Sequence, residues 1–312
     1  MPTSVQREKV RFDSGGTRCV AWHYPSTNGA CVVMAGGFGV TKEPGTDLFA
    51  RRFHEAGFGV LAFDYRHIGE SGGQPRQIAR VREYLQDWQA AVGYAATLPG
   101  VDRDRIAAWG FSLSGGHLFR VAAHTPHLAA VVAQTPAVGG WTASRAATRH
   151  QKTLPLLHFF ARGIADAAGW LVGRPPRLVP LSAPPGVLAM LSTPDSLDGP
   201  RALDPAGEHT GWRQEIAARS ALRFALYQPG REAPRVRCPV LVMVCEQDMT
   251  AHPPSAIRVA RRTPQAELVR LPGMHYAPFL DEHERAVREQ LSFLRRHLVD
   301  SSRTDRSAPA LS

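Results

Sequence analysis

Three observations predict an α/β chain built on a mostly parallel sheet with helices on both faces. Short apolar runs such as Ala30 to Ala35, Phe58 to Phe63 and Pro239 to Cys245 alternate with stretches of helical periodicity. These runs are apolar at nearly every position, not at alternate ones, as in strands covered on both sides. They end abruptly in glycines or polar residues, at the edge where such sheets gather their binding groups.

The elements follow in order. Val5 to Phe12 and Arg18 to Tyr24 alternate apolar and polar residues around Asp13-Ser14-Gly15-Gly16, which predicts an opening antiparallel hairpin. Ala30 to Ala35 is a buried strand ending in Gly36-Gly37-Phe38-Gly39. Leu48 to Ala56 is helical and Gly57 stops it. After the strand Phe58 to Phe63, a long helix is expected from about Arg76 to Leu98. A strand over Ile106 to Trp109, a helix to about His124 and a strand over Leu128 to Ala133 follow.

From Gly139 to Arg237 proline and glycine are frequent and strand signals fade. One apolar stripe, Leu156, Leu157, Phe160, Ile164, Ala167, Ala168 and Leu171, predicts a helix, and Trp212 to Leu226 a second, weaker one. The sheet resumes with Pro239 to Cys245 and Ala266 to Leu271, and a closing helix runs from Phe279 to Leu298. The resulting organisation is a discontinuous catalytic core (1–136 and 238–299), a helical cap (137–237) and a disordered tail (300–312).

Bulk properties bound the function. The chain has 312 residues, 44% hydrophobic and 21% charged, ordinary for a globular protein. The first residues lack the apolar core of a signal peptide, and no apolar run approaches the roughly 18 residues that span a bilayer. A cytoplasmic protein without membrane insertion is expected. The net charge of +10 comes from scattered arginines without a dense basic run, so nucleic acid is not an expected partner. Cys19, Cys31, Cys238 and Cys245 stand singly, implying neither a disulfide framework nor a zinc site. No P-loop or dinucleotide fingerprint is present, so neither metal nor cofactor is implied. A small-molecule substrate is the expected partner, and a homodimer is compatible with the sequence.

The chemistry centres on Gly110-Phe111-Ser112-Leu113-Ser114-Gly115-Gly116. Strand, tight turn and helix with a serine at the apex describe a nucleophile elbow, which needs small residues two before and two after the serine. Ser114 takes the second of these places, where glycine is usual. Asp248 and His275 follow the ends of two later strands, giving the chain order Ser, Asp, His. A serine hydroxyl is a poor nucleophile, so a histidine must take its proton and an acid must orient that histidine. Glu246 is the reserve acid. His117 is read as a packing residue.

With these motifs in place, the chain resembles the α/β-hydrolase superfamily over nearly its whole length. More narrowly it is similar to bacterial dienelactone hydrolase-like and Xaa-Pro dipeptidyl-peptidase-like serine hydrolases and to the polyketide transferase group. Gly-Phe-Ser-Leu-Ser-Gly-Gly-His, Asp64-Tyr65-Arg66 with Gly69-Glu70-Ser71-Gly72, and Asp248 before Pro253 carry the likeness. The resemblance implies an eight-stranded α/β-hydrolase sheet and an oxyanion hole from the backbone N–H groups of Leu113 and Phe38. It also implies that Asp64, Arg66 and Ser71 hold a turn beside the site. The family often has His-Gly-x-Gly where this chain has Gly36-Gly37-Phe38-Gly39. The expected activity is ester or thioester cleavage through an acyl-enzyme, with acyl transfer, Xaa-Pro-type peptidase activity and a non-catalytic receptor as successive alternatives. Phe160, Trp170 and Trp212 of the cap are expected to contact an apolar substrate group.

Overall fold

The computed structural model describes residues 7–140, 153–184 and 187–300. Eight strands form one sheet: β1 (Glu8–Ser14), β2 (Thr17–Tyr24), β3 (Cys31–Ala35), β4 (Gly59–Phe63), β5 (Ile106–Phe111), β6 (Ala130–Gln134), and two after the insertion. Within the insertion lie β7 (Leu178–Pro180) and β8 (Glu215–Ala217), which pair antiparallel as a separate ribbon. The last two core strands are β9 (Val240–Cys245) and β10 (Ala266–Leu271). The sheet order is β1-β2-β4-β3-β5-β6-β9-β10, and β2 alone runs against its neighbours.

Strands β3, β4, β5, β6 and β9 are buried at every residue, as their unbroken apolar sequences require. Helices α1 (Thr46–Glu55), α2 (Val81–Ala95) and α3 (Leu113–His124) cover the sheet, with α7 (Pro253–Arg262) and α8 (His283–Arg295) after the insertion. Helices α1 and α8 pack together, and Phe49 of α1 lies 5.3 Å from the Trp109 ring. Helices α2 and α3 touch each other, α2 packs on β1, β3, β4 and β5, α3 on β5 and β6, and α7 on β9 and β10.

Register fixes where the loops emerge. Ala35 pairs with Gly110, Phe111 with Gln134, Gln134 with Met243, and Cys245 with Leu271. The carboxyl ends of five adjacent strands are therefore level, and the segments at 36–39, 112, 248 and 275 leave from one edge. That is where ligands of open α/β sheets bind.

Three expected elements differ. The helix expected from Arg76 begins only at Val81. Gln77 stands at φ +57° and donates its N–H to the His67 carbonyl, so the chain before Val81 cannot be helical. The closing helix starts at His283, after a 3₁₀ turn at Ala277–Phe279, and ends in a π turn at Arg296–Asp300. The segment Trp212 to Leu226 is not one helix: it holds β8 and the short helix α6 (Ser220–Phe224). Its four-residue apolar spacing mimicked a helix. The backbone instead bonds the core loop, with Ala217 N–H on the Gln77 carbonyl and the Gln77 amide on the Glu215 carbonyl. The tail beyond residue 300 lies outside the described residues.

Helix α4 (Thr153–Leu171) exists as expected, yet its apolar stripe faces outward. Leu157, Ile164 and Leu171 are exposed, while Gly163 and Asp166 point in. The Asp166 carboxylate takes the N–H groups of Arg177 and Arg219 and pairs with the Arg219 guanidinium at 3.2 Å. A buried carboxylate with that many donors fixes the helix's rotation more strongly than apolar side chains at the rim. The Leu156 side chain lies outside the described residues. No helix among those residues is long and apolar enough to cross a membrane.

Candidate active site

Ser112 sits at φ +55° between β5 and α3, a strained backbone for a residue with a side chain. The turn is so tight that a Cβ on Gly110 would lie 2.6 Å from the Ser114 carbonyl carbon, which explains the glycine. The strain presents the Ser112 hydroxyl to a cavity while its N–H and carbonyl stay bonded to Gln134, Gly116 and Ala137.

Three side chains converge there. His275 Nε2 lies 3.0 Å from Ser112 Oγ, and His275 Nδ1 lies 2.7 Å from Asp248 Oδ2. The other oxygen, Asp248 Oδ1, accepts the N–H groups of Thr250 at 2.8 Å and Ala251 at 2.7 Å. Imidazole and carboxylate are both buried. Burial pulls the His275 pKa down, but the charge and hydrogen bond of Asp248, with a smaller push from the Asp195 charge, leave it above its ordinary 6.5. The arrangement can move a proton from Ser112 to His275 and hold the resulting cation. Glu246 is exposed at the strand end and does not take this place.

Phe38 and Leu113 both line the cavity beside Ser112. Leu113 opens α3, so its N–H has no intrahelical acceptor and sits at the positive end of the helix. The loop lacking the family's usual histidine is held in another way. Ser114 Oγ donates to the Gly36 carbonyl and is itself bonded to Tyr65 Oη, on which the Trp88 indole donates. From the cap, Trp212 Nε1 donates to the Gly39 carbonyl at 3.0 Å. The two carbonyls that flank Gly37-Phe38 are therefore pinned by side chains. The small-residue departure at Ser114, visible in the sequence, was the signal for the first of these links.

Two expectations for the cap need correction. Trp212 is buried and does not line the cavity, because its indole N–H is committed to the Gly39 carbonyl. Trp170 is half exposed, with the guanidinium groups of Arg80 and Arg219 about 6 Å from its ring, away from the cavity. Phe160 does line it, together with Phe159, Leu188, Met190 and Phe224. The cavity measures about 230 Å³, and among the described residues the titratable side chains in its wall are Tyr227 and Tyr276. Tyr227 Oη and His117 Nδ1 are hydrogen-bonded at 2.9 Å. Burial pushes the His117 pKa down to about 3, so that histidine is neutral and packs. Asp64 accepts the Lys42 ammonium and two backbone N–H groups, Arg66 pairs with Asp87, and Ser71 bonds the Asp64 carbonyl. All three hold the turn.

Trp212→Phe keeps the ring and deletes the hydrogen bond to the loop. The expected result is a drop of about tenfold in kcat, or about 1.4 kcal/mol, with little change in KM. Steady-state kinetics on one activated ester checks it.

A mostly parallel eight-stranded sheet with level strand ends and a serine elbow defines an α/β-hydrolase. Within that class the chain belongs to the family described as serine aminopeptidase, S33, whose model matches residues 26–282. Among relatives, it is 38% identical over 291 residues to the quorum-quenching protein AidA of Acinetobacter baumannii, covering 92% of this chain and 94% of that one. It is 27% identical over 211 residues, 67% of each chain, to the polyketide transferase grgF of Penicillium sp.. The crystal structure of that α/β-hydrolase superposes with a TM-score of 0.77 at 23% identity, over 94% of this chain and 99% of that chain. A thiohydrolase, aneE of Aspergillus aculeatus, is 34% identical over 111 residues, 36% of this chain and 35% of its own. The chain is thus a hydrolase-family protein whose relatives include a thiohydrolase and a transferase.

Proposed function

We propose that this protein is a serine hydrolase that cleaves carboxylic esters or thioesters of apolar acyl groups through an acyl-enzyme. The hydrogen-bonded line Ser112–His275–Asp248, opening on a cavity whose described lining residues are mostly apolar and include no carboxylate or cationic side chain, carries the proposal. His275 Nε2 takes the Ser112 proton as Oγ bonds the acyl carbon. The carbonyl electron pair moves to oxygen, where the N–H groups of Phe38 and Leu113 receive it. The imidazolium then protonates the departing alcohol or thiol. Water, deprotonated by the same imidazole, attacks the acyl-enzyme, and the imidazolium returns that proton to Ser112 Oγ as the acyl bond breaks and the acid leaves.

Acyl transfer is the second reading, favoured by the relative named a polyketide transferase. An alcohol or amine would replace water at the same acyl-enzyme. The likeness to a quorum-quenching protein makes small acylated signal molecules natural candidates for the physiological substrate.

A fluorophosphonate probe should label the wild type at Ser112, and absence of labelling would sink the proposal in favour of a receptor on a hydrolase scaffold. Along p-nitrophenyl esters from acetate to decanoate, kcat/KM should rise about fourfold per methylene, about 0.8 kcal/mol each, until the cavity is full. Phe160→Ala should flatten that rise. A profile that is flat in the wild type and unmoved by Phe160→Ala would show that the cap does not select the acyl group.

A further inference from the structure

Asp195 was invisible to sequence reasoning: a single aspartate after Thr193-Pro194 in an irregular part of the insertion. In the structure it opens a 3₁₀ turn (Pro194–Asp198) and is buried. All its hydrogen bonds go to the loop that carries Asp248. Oδ2 accepts the N–H of Met249 at 2.8 Å and of Thr250 at 3.3 Å, and Oδ1 accepts the Thr250 hydroxyl at 2.8 Å. Thr250 N–H is shared with Asp248 Oδ1, so two buried carboxylates hold one turn. Thr193 Oγ1 joins the same link, 2.7 Å from Thr250 Oγ1.

A buried carboxylate is costly unless its lone pairs are filled, so a cap that carries one must dock where donors await it. Here the donors belong to the turn that holds Asp248. That turn has two jobs: it fills Asp248 Oδ1 and leaves Oδ2 for His275 Nδ1. The Asp195 charge also reaches the imidazole.

We propose that Asp195 is a positioning residue of the catalytic centre, supplied by the cap, which fixes the acid loop through Met249 and Thr250 and adds a second negative charge behind His275. This rests on the serine hydrolase proposal and deepens it: the cap completes the machinery as well as covering it. Among the described residues, His275 is bonded to Asp248 from the β9 loop and Ser112 from the elbow and packed against the rings of Phe111 and Tyr276, and the charge of Asp195 from the cap acts on it from farther off. Burial and the charges of Asp195, Asp248 and Asp198 raise the Tyr276 pKa, so this phenol stays neutral. The charge acting on the imidazole is therefore that of the two aspartates.

Asp195→Asn separates the roles. Asparagine can accept both N–H groups through its carbonyl oxygen and donate to Thr250 Oγ1, so the loop is kept and the charge is lost. The His275 pKa should fall without that charge, moving the acid limb of kcat/KM to lower pH. The imidazolium of the transition state should be less stabilised. kcat should drop about tenfold, less than the roughly 10²–10³ lost with a donor aimed directly at the reacting oxygen. KM should hardly move. Thr250→Val removes the hydroxyl bond to Asp195 Oδ1 and leaves the two N–H bonds and the charge in place, so its kcat should fall while its acid limb stays. An Asp195→Asn enzyme with wild-type kcat and an unmoved limb overturns the inference, as does a Thr250→Val enzyme with wild-type kcat. Ser112→Ala is the control: if it keeps full activity, the serine hydrolase proposal fails, whereas an inactive Ser112→Ala beside a wild-type Asp195→Asn removes only the role of Asp195.

Discussion

Ser112→Ala should abolish turnover, with a loss on the order of 10⁶ in kcat, and leave the thermal midpoint nearly unchanged. Alanine meets the same backbone strain at φ +55° that serine already bears, and only one hydroxyl is removed. The competing candidate in the elbow is Ser114, two residues on. Its hydroxyl is buried and already bonded to the Gly36 carbonyl and Tyr65 Oη, whereas Ser112 Oγ faces His275 Nε2 and the cavity. Ser114→Ala should therefore weaken the support of the Phe38 loop and lower kcat modestly, while a fluorophosphonate still labels the protein. Parallel kinetics and labelling of the two variants decide it. Loss of labelling in Ser114→Ala with retention in Ser112→Ala would reverse the assignment.

The sequence was most legible where burial imposes one pattern. A strand covered on both faces must be apolar throughout, so β3, β4 and β9 stood out, and their level ends followed from parallel pairing. Ser112, Asp248 and His275 stood out because each comes just after such an end, in the chain order expected of the α/β-hydrolase fold. The side chains of Ser112 and Asp248 lie within hydrogen-bonding distance of His275.

The cap was much less legible, for a physical reason. Its helix α4 carries an apolar stripe that periodicity assigns to the inside, yet the Asp166 carboxylate turns that stripe outward. Trp212 looked like a pocket wall because aromatic rings favour apolar cavities, but one hydrogen bond to the Gly39 carbonyl takes it out of the cavity. Asp195 gave no signal at all. Its partners are two backbone N–H groups and one hydroxyl on a loop some 54 residues away, and backbone donors leave no trace in residue identities. Periodicity reports burial of apolar area, and it is silent on polar groups that pin one loop to another.

The histidine and its acid should differ in how much they cost. His275→Ala should lose nearly as much as Ser112→Ala, because the imidazole bonded to Ser112 Oγ, its proton acceptor in the proposed mechanism, disappears. The double variant should be little worse than either single one, since the residues act as a unit. Asp248→Asn should cost about 10⁴, because the amide presents an N–H to Nδ1 and favours the wrong tautomer. The pH profile adds a sign. In the wild type burial lowers the His275 pKa, the Asp248 carboxylate with a smaller push from the Asp195 charge more than offsets it, and the result lies above 6.5. The neutral imidazole that accepts the proton exists above that pKa, so kcat/KM should fall as the pH drops through it. Removing the Asp248 charge lets burial dominate, and the acid limb of the residual Asp248→Asn activity should move to lower pH. Profiles of kcat/KM from pH 5 to 9 with an ester whose own hydrolysis is slow over that range measure it. An acid limb that stays in place in Asp248→Asn would mean that His275 does not titrate under Asp248's influence, and the pairing seen at 2.7 Å would then serve only to hold the loop.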